Sequence, residues 1–304
     1  MNMYWPQRLL ANRWILVALI GLIGLQLSAA PVVAQDGSSS AKAERIKKKK
    51  EVQKMFKKGQ QLAQSGNYGQ AADTFEEALS MARGVEWEKA IQMSQDFLVK
   101  SLTRGGTEAN KQENYEQAVS YYNRALKYVD NDPSVHYNRG LALVNIEDST
   151  EAGLEALQTA IDIGNETGNT RVAGLATERI RDEFIARASK ALQGDNPSQE
   201  QINTALNALD QMREYVDPNA KSMFYRATAL SKSSQHEQAI QVAREGLDMH
   251  QGSRSDAAKF YYVMGESQFA IGSKASACET FRNAAYGDYE ARANHYLNNE
   301  CDDV

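Results

Sequence analysis

Proline is almost missing from this sequence: there are 5 in 304 residues, and two of them, Pro6 and Pro31, fall within the first 34. The remainder holds only Pro133, Pro197 and Pro218, so long stretches contain nothing that would break a helix. Alternating runs of Val, Ile and Thr, the mark of half-buried strands, are lacking too. Cysteine numbers 2 and histidine 4, too few for a structural zinc centre or a multi-disulfide scaffold. No nucleophile elbow, HExxH, CxxC, Walker or GxGxxG pattern occurs. His236-Glu237 opens like a zinc helix, but Ile240 stands where the second ligand is required. Carboxylate pairs such as Glu76-Glu77 and Asp302-Asp303 lie where helices present solvated charge. No catalytic residue, cofactor or metal is expected, and the chain is read as a non-enzyme.

What is present favours helix. Ala, Gln, Glu and Lys are abundant, and 42% apolar with 24% charged residues excludes both a disordered chain and a polytopic membrane protein.

The N-terminus reads as an export signal. Arg8 and Arg13 precede an uncharged stretch whose strongly apolar part, Trp14 to Leu25, is 12 residues, the length of a signal core. Val32-Val33-Ala34 supplies compact residues ahead of a cut before Gln35. The competing reading is a retained anchor, since Trp14 to Ala34 is 21 residues and long enough to cross a bilayer. Either way the expected location is outside the cytoplasm, in a bacterial periplasm, anchored if the signal is kept. Residues 35–43 are expected to be a flexible leader and 301–304 a short tail.

Charge is segregated. Residues 35–58 hold nine bases against Asp36, Glu44 and Glu51, a net of +6, whereas residues 59–304 carry −13. The Lys47–Lys58 segment suits anionic lipid head groups or an acidic partner; the plainer reading is a solvated start to the first helix. Nucleic acid is disfavoured by the acidic body.

A repeat organises the rest. Gly66-Asn67-Tyr68-Gly69-Gln70-Ala71 is followed by Phe75, Ala78 and Leu79, and Glu113-Asn114-Tyr115-Glu116-Gln117-Ala118 by Tyr122, Ala125 and Leu126. Ser234 to Ala239 and Gly272 to Ala277 repeat the pattern, the last followed by Phe281. A small residue stands twelve positions before the aligned Ala: Gly59, Gly106, Ala227 and Gly265. Gly140 relates in the same way to Ala152, although a one-residue insertion that makes Gly153 the equivalent position fits better. The aligned positions 71, 118, 152, 205, 239 and 277 are spaced 47, 34, 53, 34 and 38 apart. This resembles the tetratricopeptide repeat, a 34-residue pair of antiparallel helices, over residues 44–300. The resemblance implies an all-α fold, a right-handed superhelical solenoid of about six helix pairs, the fourth degenerate, closed by a capping helix near Asp288 to Asn298.

It also implies a partner. In this family the first helices line a concave groove, and the matching positions here include Phe56, Gln60, Lys100, Tyr137, Asn145, Lys221, Phe224, Lys259 and Tyr262. The fifth repeat position is aromatic in four units (Phe56, Tyr137, Phe224, Tyr262), as binding anchors or as packing between repeats. The family's Lys/Asn clamp for acidic C-terminal tails is not matched by Phe56/Gln60, Tyr137/Leu141 or Phe224/Thr228. The expected function is a scaffold binding a peptide or partner protein; the alternative is an envelope glycan- or ligand-binding protein using the same aromatics. Cys278 opens the last repeat's second helix and Cys301 follows the cap, so a hairpin brings them toward one end, as a disulfide or as two unpaired thiols.

Overall fold

Thirteen α-helices joined by short connections make up the described part of the molecule, with no strand among the described residues. The computed structural model describes residues 36–194 and 196–301. The expected export signal and residues 302–304 of the expected tail lie outside the described residues.

The helices fall into antiparallel pairs: α1 (Asp36–Gln64) with α2 (Tyr68–Gly84), α3 (Glu88–Lys111) with α4 (Tyr115–Leu126), and α5 (Pro133–Leu143) with α6 (Thr150–Glu166). They continue as α7 (Thr170–Ala191) with α8 (Gln199–Tyr215), α9 (Ala220–Lys232) with α10 (His236–Asp248), and α11 (Arg254–Ala270) with α12 (Lys274–Ala284). A 3-10 turn, Gly287–Tyr289, then leads into α13 (Glu290–Glu300). The chain divides by its contacts at Lys47–Lys48 into the start of α1 and a body that runs to the C-terminus. One expectation needs correcting: residues 36–43 are helical from Asp36, not a flexible leader. Ala41, Lys42, Ala43 and Glu44 are strong helix formers, and the serines before them sit near a helix start, where they cost least.

The turn inside each pair is one object used four times. Gly66, Glu113, Ser234 and Gly272 all take positive φ, between 60° and 81°. The next residue's N–H then reaches back to a carbonyl in the last turn of the first helix: Asn67 to Leu62, Asn114 to Ala109, Gln235 to Leu230 and Ser273 to Gln268, each at 2.9 Å. This is the Schellman closure, in which a left-handed residue lets orphaned C=O groups find donors. In the third pair Asp148 takes φ 62° and the second helix starts one residue late, the backbone form of the insertion. The fourth pair turns differently, through Leu192 to a Ser198/Gln201 capping box.

Small residues on the first helix receive large ones from the second. A Cβ on Gly59 would lie 2.8 Å from the Phe75 ring, one on Gly106 2.7 Å from Tyr122, and one on Gly265 2.7 Å from Phe281. These rings are fully buried. Gly140 instead meets Leu157 at 2.7 Å and the carbonyl oxygen of Gly153 at 3.0 Å, so two glycines let the α5 and α6 backbones touch. The fifth pair has Ala227 and Ala243 at these places, and Phe260 of α11 presses on Gly246 of α10. The degenerate fourth pair fills the same space with Ile185, Ala188, Ile202, Ala205 and Leu209, all buried.

Successive first helices also touch one another, α3 with α5, α5 with α7, α7 with α9 and α9 with α11, while the second helices are spread further apart. The first helices therefore share one continuous face. On the other side, Arg124 of α4 spans to α2, donating to Asp73 at 2.8 Å and Glu76 at 3.0 Å, and Tyr128 donates to Glu76 at 2.5 Å. At the C-terminal end, Cys278 of α12 is disulfide-bonded to Cys301 just after α13, with Cα atoms 5.8 Å apart.

Candidate interaction surface

The shared face of the first helices carries the positions expected to line a groove, and burial divides them into two classes. Lys100, Asn145 and Lys221 are exposed, whereas Gln60, Lys259 and all four aromatics are half-buried. Asn145 spends its amide locally, donating to the carbonyl of Leu141 at 2.7 Å.

The aromatics meet other apolar groups in the interior rather than each other. Phe56 makes edge contacts with Phe75 and Phe97, centroids 5.4 and 4.9 Å away, so it joins three helices. Tyr137 packs against the cluster of Leu154, Leu157 and Phe184. Phe224 lies against Tyr225 and Phe260, and Tyr262 against Tyr289 and Phe281. Three of the four rings are thus engaged by rings of neighbouring elements, and the fourth by a mixed aliphatic and aromatic core; no common platform forms.

Two places along the face do bring polar groups together. On α9 and α11, the Lys259 ammonium stands 5.4 Å from the centroids of both Phe224 and Phe260, the geometry of a cation over rings. Desolvation by its surroundings lowers the Lys259 pKa, Asp256 opposes that fall, and Lys221 adds to it. Lys221 itself reaches back to Asp182 of α7 at 3.2 Å. Thus α7, α9 and α11 are linked side by side, with two ammonium groups on one stretch of surface.

The second place is Glu266, one turn beyond Tyr262. Burial raises its carboxyl above the usual carboxylate range, and hydrogen bonds from Tyr262 and Tyr296 pull the other way without cancelling it, as do the charges of Lys232 and Arg292. Burial, and next the Glu266 charge, push the Tyr262 phenol well above its normal value. Tyr296 is stacked on Phe281, centroids 4.3 Å apart with planes 9° from parallel. Helix α13 packs on α12 and brings Arg292 and Tyr296 to Glu266 at the end of the shared face.

The sequence reading sets all nine positions along one groove; Lys221, Phe224, Lys259 and Tyr262 stand together on α9 and α11, whereas Phe56, Gln60, Lys100, Tyr137 and Asn145 stand on the first three pairs. Asp182 was missed because the fourth pair lacks the repeat's signature. Tyr289, Arg292 and Tyr296 were missed because α13 was read only as a cap, although tyrosines seven apart around an arginine mark one helix face.

Among known proteins, a family model described as TPR repeat matches residues 106–146, from the end of α3 through α5. No curated protein matches the chain. Solved structures that match the chain include a tetratricopeptide repeat protein from Parabacteroides merdae, 14% identical, covering 81% of this chain and 97% of that one with a TM-score of 0.28. The TPR domain of P58(IPK) is likewise 14% identical, covering 81% of this chain and 77% of that one, with a TM-score of 0.30.

Proposed function

We propose that this chain, with its antiparallel helix pairs and a TPR-repeat match over residues 106–146, is an interaction scaffold that works outside the cytoplasm, holding an extended partner segment along the face shared by its first helices. Repeats of this kind bind protein partners and are generally non-catalytic. The observation that carries the reading is the row α3, α5, α7, α9 and α11, adjacent along one side, with Lys100 and Lys221 exposed and Lys259 half-exposed. A continuous face of that length suits a chain segment better than a small molecule, and its ammonium groups favour an acidic one.

Two features support the compartment. The apolar stretch from Trp14 to Leu25 has the length of a signal core. The Cys278–Cys301 bond belongs to an oxidising environment, where such bonds persist. There, the Lys47–Lys58 segment would face an anionic membrane surface. No helix among the described residues is long and apolar enough to cross a membrane.

The test compares two baits in affinity capture, the exported protein and its Lys100→Glu/Lys221→Glu variant. A partner held by the first and released by the second, with melting unchanged, supports the reading. Capture of nothing above background, or equal capture by both, ends it.

A further inference from the structure

Helix α1 has two faces of opposite character. Val52 is 2% exposed, and Phe56 and Gly59 meet Phe75 of α2, so this side closes the first pair. At about 100° of turn per residue, Lys50, Lys54, Lys57 and Lys58 fall diametrically opposite, with Lys47 in phase. All five are exposed, and Lys50, Lys54, Lys57 and Lys58 have no ion-pair partner among the described residues. Glu51 is the only acid from Lys47 to Lys58.

The first helix of a repeat array has an open outer side and must keep it polar. That requirement is met by residues of any charge, and α13 at the other end meets it with Asn294, Asn298, Asn299 and Glu300. A run of one sign is therefore a separate property of α1. It stands out further because residues 59–304 carry −13. The cations are lysines, compact charges on flexible stems, which suit a fluid array of phosphates better than one fixed carboxylate. The row from Lys50 to Lys58 lies along one helix for about 12 Å, so it can lie flat on a surface. In the sequence, the apolar stretch that stops at Leu25 lies 22 residues ahead of Lys47.

We propose that the lysine face of α1 docks on an anionic phospholipid surface. The attraction acts at the first helix alone and the acidic remainder is repelled, so the body is held off the bilayer by its N-terminal end. This extends the export reading, and it stands or falls separately from the partner segment on the first-helix face.

The test uses the chain from Gln35 onward, which keeps all thirteen helices, in co-sedimentation with vesicles of phosphatidylglycerol and phosphatidylcholine or of phosphatidylcholine alone. Binding is expected to the anionic vesicles only and is expected to fade as salt screens it. Each Lys→Gln change at positions 50, 54, 57 and 58 should lower the partition about five-fold, and the four together several hundred-fold. The variant Lys127→Gln/Lys190→Gln, exposed elsewhere, should bind normally. Melting of the quadruple variant should match the parent, because those side chains touch no core. Absence of binding to anionic vesicles, equal binding to neutral ones, or full retention by the quadruple variant would overturn the proposal. So would a dimer without vesicles that the quadruple variant abolishes, since the face would then belong to a second copy.

Discussion

Gly265 and Phe281 are in such close contact that a Cβ on residue 265 would sit 2.7 Å from the ring, nearer than side-chain carbons approach. The glycine is thus a steric requirement of the sixth pair. Gly265→Leu should lower stability by about 2–3 kcal/mol, since Phe281 is fully buried and cannot swing out. Gln241→Leu, on an exposed face of α10, should change it by about 0.5 kcal/mol or less. Urea unfolding of the two variants checks this, and equal shifts would mean that the repeat register is misassigned.

Glu113 and Ser234 hold the left-handed position that Gly66 and Gly272 hold elsewhere. A residue with a Cβ is strained there by about 1–2 kcal/mol, part of which glycine returns as unfolded-chain entropy. Glu113→Gly and Ser234→Gly are each expected to stabilise the protein by about 0.5–1 kcal/mol. Both side chains are exposed, so no packing is lost. A fall in melting temperature for both would contradict this account of the turn.

For the aromatic row, Phe56→Ala should destabilise by about 3 kcal/mol through the cavity left between Phe75 and Phe97. Tyr137, Phe224 and Tyr262 should behave alike, with affinity per folded molecule little changed. Melting temperature and binding measured on all four variants decide the matter. Undiminished melting with lost binding would return the rings to the role of partner anchors.

Glu266 gives a pH dependence whose sign follows from its burial. Its folded pKa lies above the ordinary 4.5, so the protonated form is favoured in the native state. That contribution is complete below 4.5 and is lost as pH rises through the folded value. Glu266→Gln should therefore flatten the decline in stability on going from acid to neutral pH, and should match or exceed the parent near pH 7. Chemical unfolding across that range is the measurement; a steeper decline in the variant would show that the phenol hydrogen bonds outweigh burial.

Cys301→Ser, or reduction, removes a cross-link between residues 23 apart in sequence. The chain-entropy estimate for a loop of that size is about 3 kcal/mol. Calorimetry with and without reductant should show the loss in the last repeat, with α13 exchanging its amide protons faster. Unchanged exchange in α13 would mean that Tyr296 on Phe281 holds that helix unaided.

Helix pairing was readable in the sequence because each pair repeats a local device, and local devices leave fixed spacings. The small residue and its aromatic are sixteen apart in Gly59/Phe75, Gly106/Tyr122 and Gly265/Phe281, so the register could be counted. Even the insertion near Gly153 was visible, since Gly140 had to face something small. What escaped were relations between pairs. Lys221 meets Asp182 across 39 residues of sequence, from helices whose separation depends on how the degenerate fourth pair packs. The environment of Glu266 is likewise assembled from α9, α11 and α13, and no spacing within one repeat predicts it. The half-buried state of the aromatic row belongs to the same class: a ring at a groove position serves as core or contact according to how tightly the next pair closes.

The bond from Cys278 to Cys301 has a consequence for how the array comes apart. A row of stacked units loses its members most easily from its ends, where each has only one neighbour. Here one end is locked, because α13 cannot leave α12 while the sulfur atoms are joined. The other end is α1, held by Val52, Phe56 and Gly59 against α2 and α3 with no such tie. Unravelling is therefore directional, like a zipper sewn shut at its far end. A protease acting on native protein should cut first in the N-terminal pairs and leave a resistant C-terminal fragment, and reduction should let it start from both sides.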